Sequence, residues 1–319
     1  MEQIYTYGNY LKNKFGCKVY KVGINISGFT CPNIDGTVAK GGCTFCENDS
    51  FSASTGEVQE LKGFHLNLDS TENPHLDKQL KQLEIQFKAI SARQKREYGA
   101  EKFLVYFQSF TNTYAPFETL KALYDKALSF ENVVGLSIGT RSDSITEETL
   151  DYLAKLNKTS EIWIEFGIQS IYDETLIRIN RGHDAQNVKT WIQKSKKAGL
   201  NVCGHLIFGL PGEDSKMMIE TAKEAYAWGI DSVKYHPLYV VKRTALANEF
   251  KSGKFTPISE QEYLDVLTHT IGLKPEHVSV QRVTAGLNED SLLAPAWCRD
   301  KNIQVKNINA ALKPLGLKY

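Results

Sequence analysis

Three cysteines, Cys31, Cys43 and Cys46, stand in a C-x11-C-x2-C arrangement. A thiolate is a metal ligand, and two thiols separated by two residues can grip one centre from a single turn. Gly41 and Gly42, just before Cys43, allow the backbone to approach whatever the sulfurs hold. Structural zinc is one such centre. It takes four protein ligands, and Cys17, His65 and Cys298 are the candidates for the fourth, none at a diagnostic spacing. An iron-sulfur cube is the other, because it accepts thiolates and can leave one iron open to a substrate or cofactor. Thiols that bind nothing are the third reading. Cys203 alternates with apolar residues and reads as core, and Cys298 beside Trp297 as a ligand only if a second centre exists. The glycine turns at residues 40–42 and 210–212 lack the lysine and serine of a triphosphate-binding loop.

Such thiols need a frame, and the hydrophobic pattern supplies one. Residues 19–26 read as a strand leading into the cysteine loop. Leu76, Leu80, Leu83, Phe87 and Ile90 recur at helical spacing and form one apolar stripe. Residues 103–108 form a near-continuous apolar strand, followed by Pro116 in a first-turn position and a helix carrying Leu120, Leu123 and Ala127. Residues 133–138 repeat the strand. Ser144 with Glu147 has the spacing of a capping box, ahead of a helix burying Leu150, Leu153 and Leu156. Strands at 161–168, 202–208 and 232–235 follow, with helices near 185–198 and 217–228 between them. Six β/α units predict an α/β fold: a partial (β/α)6 TIM-type barrel over residues 1–240, with chemistry at the C-terminal ends of the strands. Glu165 and Gln169, four apart on one strand, should share a face. After about residue 240 the rhythm breaks into a helix at 259–271, a strand-like 278–283 and a polar C-terminal helix, which read as an α/β extension, residues 241–319, packed on the barrel.

Composition narrows the class. The 319 residues carry 38 Lys and Arg against 37 Asp and Glu, so no bulk field draws the chain to nucleic acid or an anionic membrane, and any such partner needs a local patch. With 42% hydrophobic and 24% charged residues the chain is neither disordered nor fibrous. No apolar run approaches a membrane span and the first fourteen residues lack a signal-peptide core, so a cytoplasmic protein with reduced thiols and no membrane contact is expected.

The stretch CPNIDGTVAKGGCTFCENDSFS resembles the cluster loop, residues 30–53, of radical S-adenosylmethionine (SAM) enzymes, in the form found in the YtqA/YhcC group. That group is related to the elongator catalytic subunit and to oxygen-independent coproporphyrinogen oxidase. The superfamily usually spaces its cysteines C-x3-C-x2-C; the eleven-residue gap is the subgroup's form. FQSFTNTYAP (107–116), GTRSD (139–143), EFGIQS (165–170), INRGH (179–183) and HLIFGLPGE (205–213) resemble the group at successive strand ends. The resemblance implies a 4Fe-4S cluster on Cys31, Cys43 and Cys46, with Phe45 the aromatic before the last ligand, and SAM chelated at the open iron and cleaved to a 5'-deoxyadenosyl radical. It implies that Gln108, Ser109 and Thr111 lie at the methionine ammonium, where relatives carry a Gly-Gly-Glu type segment. Gly139 stands where relatives often place a ribose-binding Glu. Gln169 matches a ribose contact, Glu165 is a second group in reach of SAM, and Arg181 matches the partner of the SAM carboxylate. Phe208 and Gly209 would be backbone neighbours of the adenine. His205 sits where relatives can carry an acid, with a hydrogen-bonded core histidine as the alternative, and Arg178 reads as a surface helix residue.

The group further implies tRNA as substrate, through formation of a 5-aminomethyl-type side chain on the wobble uridine, a reductant protein such as flavodoxin or ferredoxin, and a methyltransferase acting on the product. Residues 229–319 carry 12 Lys and Arg against 9 Asp and Glu, including Lys242 and Arg243 just past the sixth strand. One rival is a radical reaction on a small molecule or tetrapyrrole, with Tyr114, Tyr235 and Tyr239 as a pocket wall. A non-catalytic, zinc-stabilised RNA-binding module is the other.

Overall fold

The computed structural model describes residues 1–47, 63–70, 72–284 and 291–319, so residues 48–53 of the expected cluster loop lie outside the described residues. Seven parallel strands form one curled sheet in sequence order: β1 (Val19–Ile24), β2 (Lys102–Phe107), β3 (Val133–Thr140), β4 (Glu161–Gln169), β5 (Asn201–Phe208), β6 (Ser232–Pro237) and β7 (Ser279–Arg282). The sequence pattern yields six. The seventh comes from the extension: the strand-like run at 278–283 does form a strand, Ser279–Arg282, and it joins the barrel sheet itself by pairing with β6 from Ser232 to Lys234. The result is an α/β half-barrel, open between β1 and β7.

Helices α1 (Tyr7–Phe15), α2 (Leu76–Tyr98), α3 (Phe117–Leu128), α4 (Glu147–Leu156), α5 (Ala185–Lys197), α6 (Ser215–Ala227), α7 (Glu260–Leu273) and α8 (Lys301–Leu312) accompany the sheet. Alternation along the strands sorts the two faces of the sheet. Phe103, Val105 and Phe107 of β2, Ile162, Ile164 and Phe166 of β4, and Val233 and Tyr235 of β6 join the core beneath the helices. The other face encloses polar side chains, among them Tyr106, Ser137, Glu165, His205 and Lys234, in their upper part. Its lower end is plugged by Leu104, Trp163 and Cys203 packed on Tyr7 and Leu11 of α1. The Tyr7 ring meets Trp163 edge-on at 5.0 Å. Cys203 is thus core, and α1, which carries no strong period in the sequence, is the barrel's stopper.

Two local expectations are corrected. Ser144 does not cap α4; Thr146 does, its hydroxyl accepting from the Thr149 amide at 3.2 Å. Ser144 closes a short 3-10 turn and its carbonyl accepts from the Thr113 hydroxyl at 2.5 Å. The three tyrosines expected as one pocket wall are buried separately: Tyr235 in the main core against Phe208, Tyr239 beside Val241 and Leu292, and Tyr114 with its hydroxyl on Thr37 at 2.8 Å.

Candidate active site

Residues 25–27, between β1 and the cysteine loop, have no strand neighbour on the α2 side. A row of buried glutamines on α2 takes that place. Gln79 Nε2 donates to the Ser27 carbonyl (2.7 Å), Gln82 Oε1 accepts from the Ser27 amide (3.1 Å), and Gln86 both accepts from the Asn25 amide (3.0 Å) and donates to its carbonyl (2.7 Å). Buried backbone polar groups need partners, and these side chains supply them.

The cysteine loop is then seated on the turn that follows Gln169. Asn33 Nδ2 donates to the carbonyls of Asn180 (2.5 Å) and Arg181 (2.9 Å), and Asn180 Nδ2 returns bonds to the carbonyls of Gly42 (2.7 Å) and Lys40 (3.2 Å). Asn180 does this from the left-handed region (φ 55°), which asparagine tolerates better than most residues. The Thr44 amide donates to Ile179 (3.0 Å), and Thr44 accepts from the Leu246 amide (2.8 Å). Arg243 reaches Glu47 at 2.5 Å. Neither asparagine was singled out in the sequence; their signal was only their position beside Pro32 and inside INRGH.

Cys31, Cys43 and Cys46 line one cavity of about 160 Å³ at the C-terminal ends of the strands. Gln108, Thr111, Glu165, Gln169, Arg181 and His205 line it too, together with Tyr106, Phe110, Gly139, Thr140, Arg141 and Gly167. None of the three thiols is in a disulfide. Among the described residues, the one trio of ligand atoms within 4.8 Å of one another is that of Glu165, Cys203 and His205, so the three loop sulfurs do not crowd one point as ligands of a single tetrahedral zinc would. The fourth-ligand candidates are elsewhere: Cys17 precedes the opposite end of β1, His65 is exposed, and Cys298 is buried beside Tyr239. Burial, reinforced by Cys43 and Cys31, pushes the Cys46 thiol up to about 12, a penalty that a bound cationic centre reverses.

Arg181 spans the cavity wall. Its Nη2 donates to the Gly167 carbonyl at 2.9 Å, its Nη1 lies 3.8 Å from Cys43 Sγ, and its buried Nε has no partner among the described residues. A Cβ built on Gly167 would stand 2.7 Å from Arg181 Nη2 and 2.6 Å from Gln169 Nε2, so any larger residue there displaces the ends of both side chains from the cavity wall. Glu165 and Gln169 do line the same cavity, but not through even spacing. The register slips between Gly167 and Gln169, and Gln169 sits at φ 66° with Oε1 buried and unpartnered. Arg141 forks onto Asp143 (2.8 and 2.5 Å) and leaves its buried Nη1 without a partner. Phe110 is also left-handed, at φ 61°. Held strain of this kind clusters where a ligand is gripped.

Glu165 is fully buried and held well below the usual carboxylate range: burial opposes ionisation, but Lys21, Lys234 and His205 overcome it. Both of its oxygens already accept hydrogen bonds, from Lys21 and Ser137 on one and from Lys234 and His205 on the other. His205 Nε2 lies 2.8 Å from Glu165, and burial with Lys234 lowers the imidazole to about 4, so it is neutral near pH 7.

Phe45, Ser109, Phe208 and Gly209 are not among the described residues that line this cavity. Phe45 packs toward Leu176 and Ile179. Ser109 is buried, with its hydroxyl unpartnered. Phe208 points into the core under α7, and Gly209 faces Ile258 on the outside of the barrel mouth. Arg178 is half exposed on a short helical turn and pairs with Glu249 at 3.1 Å.

A family model described as the radical SAM superfamily matches residues 36–225, and one for the radical SAM C-terminal domain matches residues 230–314. The chain is a radical SAM protein. It is 34% identical to the uncharacterized protein YtqA of Bacillus subtilis over 315 residues, 99% of this chain and 91% of that one, which puts it in the YtqA/YhcC group. The radical SAM chain is also 33% identical to a tRNA uridine(34) acetyltransferase of Methanocaldococcus infernus over 153 residues, 47% of this chain and 28% of that protein. Among solved structures, Elp3 of Methanocaldococcus infernus superposes with TM-score 0.64 at 19% identity; the match covers 94% of this chain and 64% of that one, and shows the shared fold. The family implies a 4Fe-4S cluster and SAM. Among the described residues, no helix is long and apolar enough to cross a membrane.

Proposed function

We propose that Cys31, Cys43 and Cys46 hold a 4Fe-4S cluster, that SAM occupies the adjoining cavity, and that the chain modifies C5 of the wobble uridine of tRNA to give a 5-aminomethyl-type side chain. The observation that carries the cofactor reading is the convergence of three thiols on a cavity whose walls hold buried polar atoms of both kinds that have no partner among the described residues: donors on Arg141 and Arg181, an acceptor on Gln169. When bound, the cluster and SAM supply a 5'-deoxyadenosyl radical by reductive cleavage of the sulfonium. The protein's part is positional. Arg181 offers its guanidinium to the methionine carboxylate, Gln108 and Thr111 with the backbone around them accept from the ammonium, and Gln169 accepts from the ribose. His205, neutral near pH 7, adds no charge to the cavity wall. Phe208 and Gly209 remain candidates for the adenine edge through their backbone. A flavodoxin or ferredoxin is the expected reductant and a methyltransferase the expected consumer of the product.

The tRNA part is supported by the named activity of the archaeal uridine(34) acetyltransferase relative, and by the exposed Lys242 and Arg243, of which Arg243 pairs with Glu47 of the cysteine loop. Two measurements test the two parts. Anaerobic reconstitution with iron and sulfide should give absorbance near 400 nm and SAM-dependent release of 5'-deoxyadenosine, both lost in Cys43→Ala; zinc in place of iron would end the cofactor reading. Nucleoside analysis of tRNA from cells with and without the protein should differ at a C5-substituted uridine, and identical profiles would end the tRNA reading while leaving the first intact.

A further inference from the structure

Beneath the cavity, the interior of the half-barrel holds a charge imbalance. Lys21 from β1 and Lys234 from β6 both donate to Glu165. Lys21 also donates to Gln281 Oε1 on β7 at 2.6 Å, bridging the open seam, and Lys234 to the Tyr106 hydroxyl at 3.0 Å. Two ammoniums, Lys234 buried and Lys21 with 18% of its side chain exposed, therefore face one carboxylate, and tyrosine rings offset part of the excess: Lys21 lies 4.6 Å from the Tyr7 ring and 4.8 Å from that of Tyr106, and Lys234 4.5 Å from the latter. The other titratable groups around them do not correct the count: His205 and His236 are held neutral by burial, and the Tyr7 and Tyr106 hydroxyls and the Cys203 thiol are pushed upward by it. An unpaired buried charge is among the costliest features a fold can keep.

The donors are in surplus as well. Each ammonium has three N–H bonds and makes two of the hydrogen bonds named, and Gln281 Nε2 is buried with no partner among the described residues. A cation does not suit the place. Glu165, Cys203 and His205 lie close enough to hold one, but the two lysines repel it, and the Cys203 thiol, pushed up to about 12, is not a thiolate.

We propose that this floor is a binding site for one carboxylate-sized monoanion, held by Lys21, Lys234 and the Gln281 amide. The site stands on these side chains alone and requires neither the cluster nor a nucleic acid. Tyr106, Glu165 and His205 line the cavity that the cysteines line; Tyr106 and Glu165 also contact Lys21 or Lys234, and His205 contacts Glu165, so the floor lies directly behind that cavity's wall. A substrate bearing an anionic group of that size would be gripped there, with its neighbouring atoms toward the cofactor. Free acetate would occupy the same place in its absence.

The experiment titrates the full-length protein with [13C]acetate at constant ionic strength, following the acetate line width and the thermal midpoint, with acetamide as the neutral control. Wild type should show saturable broadening and a rising midpoint with acetate and neither with acetamide. Gln281→Glu changes little in shape but sets a second carboxylate against Lys21, which balances the charge. That variant should fold, melt no lower than wild type, and bind acetate at least tenfold more weakly. Lys21→Met, which leaves one ammonium opposite one carboxylate, should show the same loss. Acetate no better than acetamide on wild type, or Gln281→Glu binding acetate as wild type does, overturns the proposal.

Discussion

At the scale of single residues, Gly167 is the tightest constraint on the cavity. Gly167→Ala sets a methyl group 2.7 Å from Arg181 Nη2 and must turn the guanidinium aside. Losing one charge-assisted bond of that kind is worth about 1.5–3 kcal/mol, so SAM affinity, measured by equilibrium binding to the reconstituted protein, should fall roughly ten- to hundredfold. A second prediction concerns Lys21, whose ammonium is brought down to about 8, chiefly by burial and also by Lys234, with Glu165 opposing. In the unfolded chain the same lysine titrates near its ordinary 10.5. Between these values the unfolded state binds more protons than the folded state, so stability from this group rises with pH from about 8 upward. Thermal midpoints from pH 7.5 to 10 should therefore climb in wild type relative to Lys21→Met, and parallel curves would contradict the shift. At this scale the sequence names residues that the structure brings onto one cavity: the three cysteines of C-x11-C-x2-C, Arg181 and Gln169. Arg141 was quoted inside GTRSD without being chosen, because its orphaned Nη1 exists only once Asp143 has taken the other side of the fork.

At the scale of elements, the strands were readable because each alternates or runs apolar, and the helices because leucines recur on one face. The period finds what packs and misses what a polar face binds. On α2 the stripe of Leu80, Leu83, Phe87 and Ile90 was plain, whereas Gln79, Gln82 and Gln86 look like solvated positions until residues 25–27 are laid beside them. Replacing Gln82 and Gln86 with leucine strips three backbone groups of their partners, at about 1–3 kcal/mol each where they stay buried. The double variant should melt several degrees lower and retain less iron per chain after reconstitution, read by calorimetry and iron analysis. Asn180 separates backbone from amide. Asn180→Gly keeps the left-handed turn but loses the bonds to Gly42 and Lys40, so iron retention should fall further than the melting temperature; Asn180→Ala should lower both.

At the scale of the whole molecule, the division at residue 240 does not mark two independent bodies. β7 completes the sheet, α7 covers Tyr235 and Phe208 through Tyr263, and Leu317–Lys318 pair with Glu2–Gln3 across the ends of the chain. A chain ended at residue 240 exposes the edge of β6 and that aromatic cluster, and should be recovered only in the insoluble fraction; a soluble, cooperatively melting product would show that the barrel needs no extension. The strand at 278–283 is legible in the sequence but its partner is not, because β6 lies more than forty residues upstream and no local pattern links the two.

The seat of the cysteine loop has a temporal meaning. Thr44 is tied to Leu246 and Glu47 to Arg243, some two hundred positions later. While a ribosome is still making the first half of the chain, the three sulfurs have emerged but the ledge they rest on has not been synthesised. On the proposed assignment of the three sulfurs, stalled nascent chains that end before residue 243 should retain less iron than the full-length chain after reconstitution.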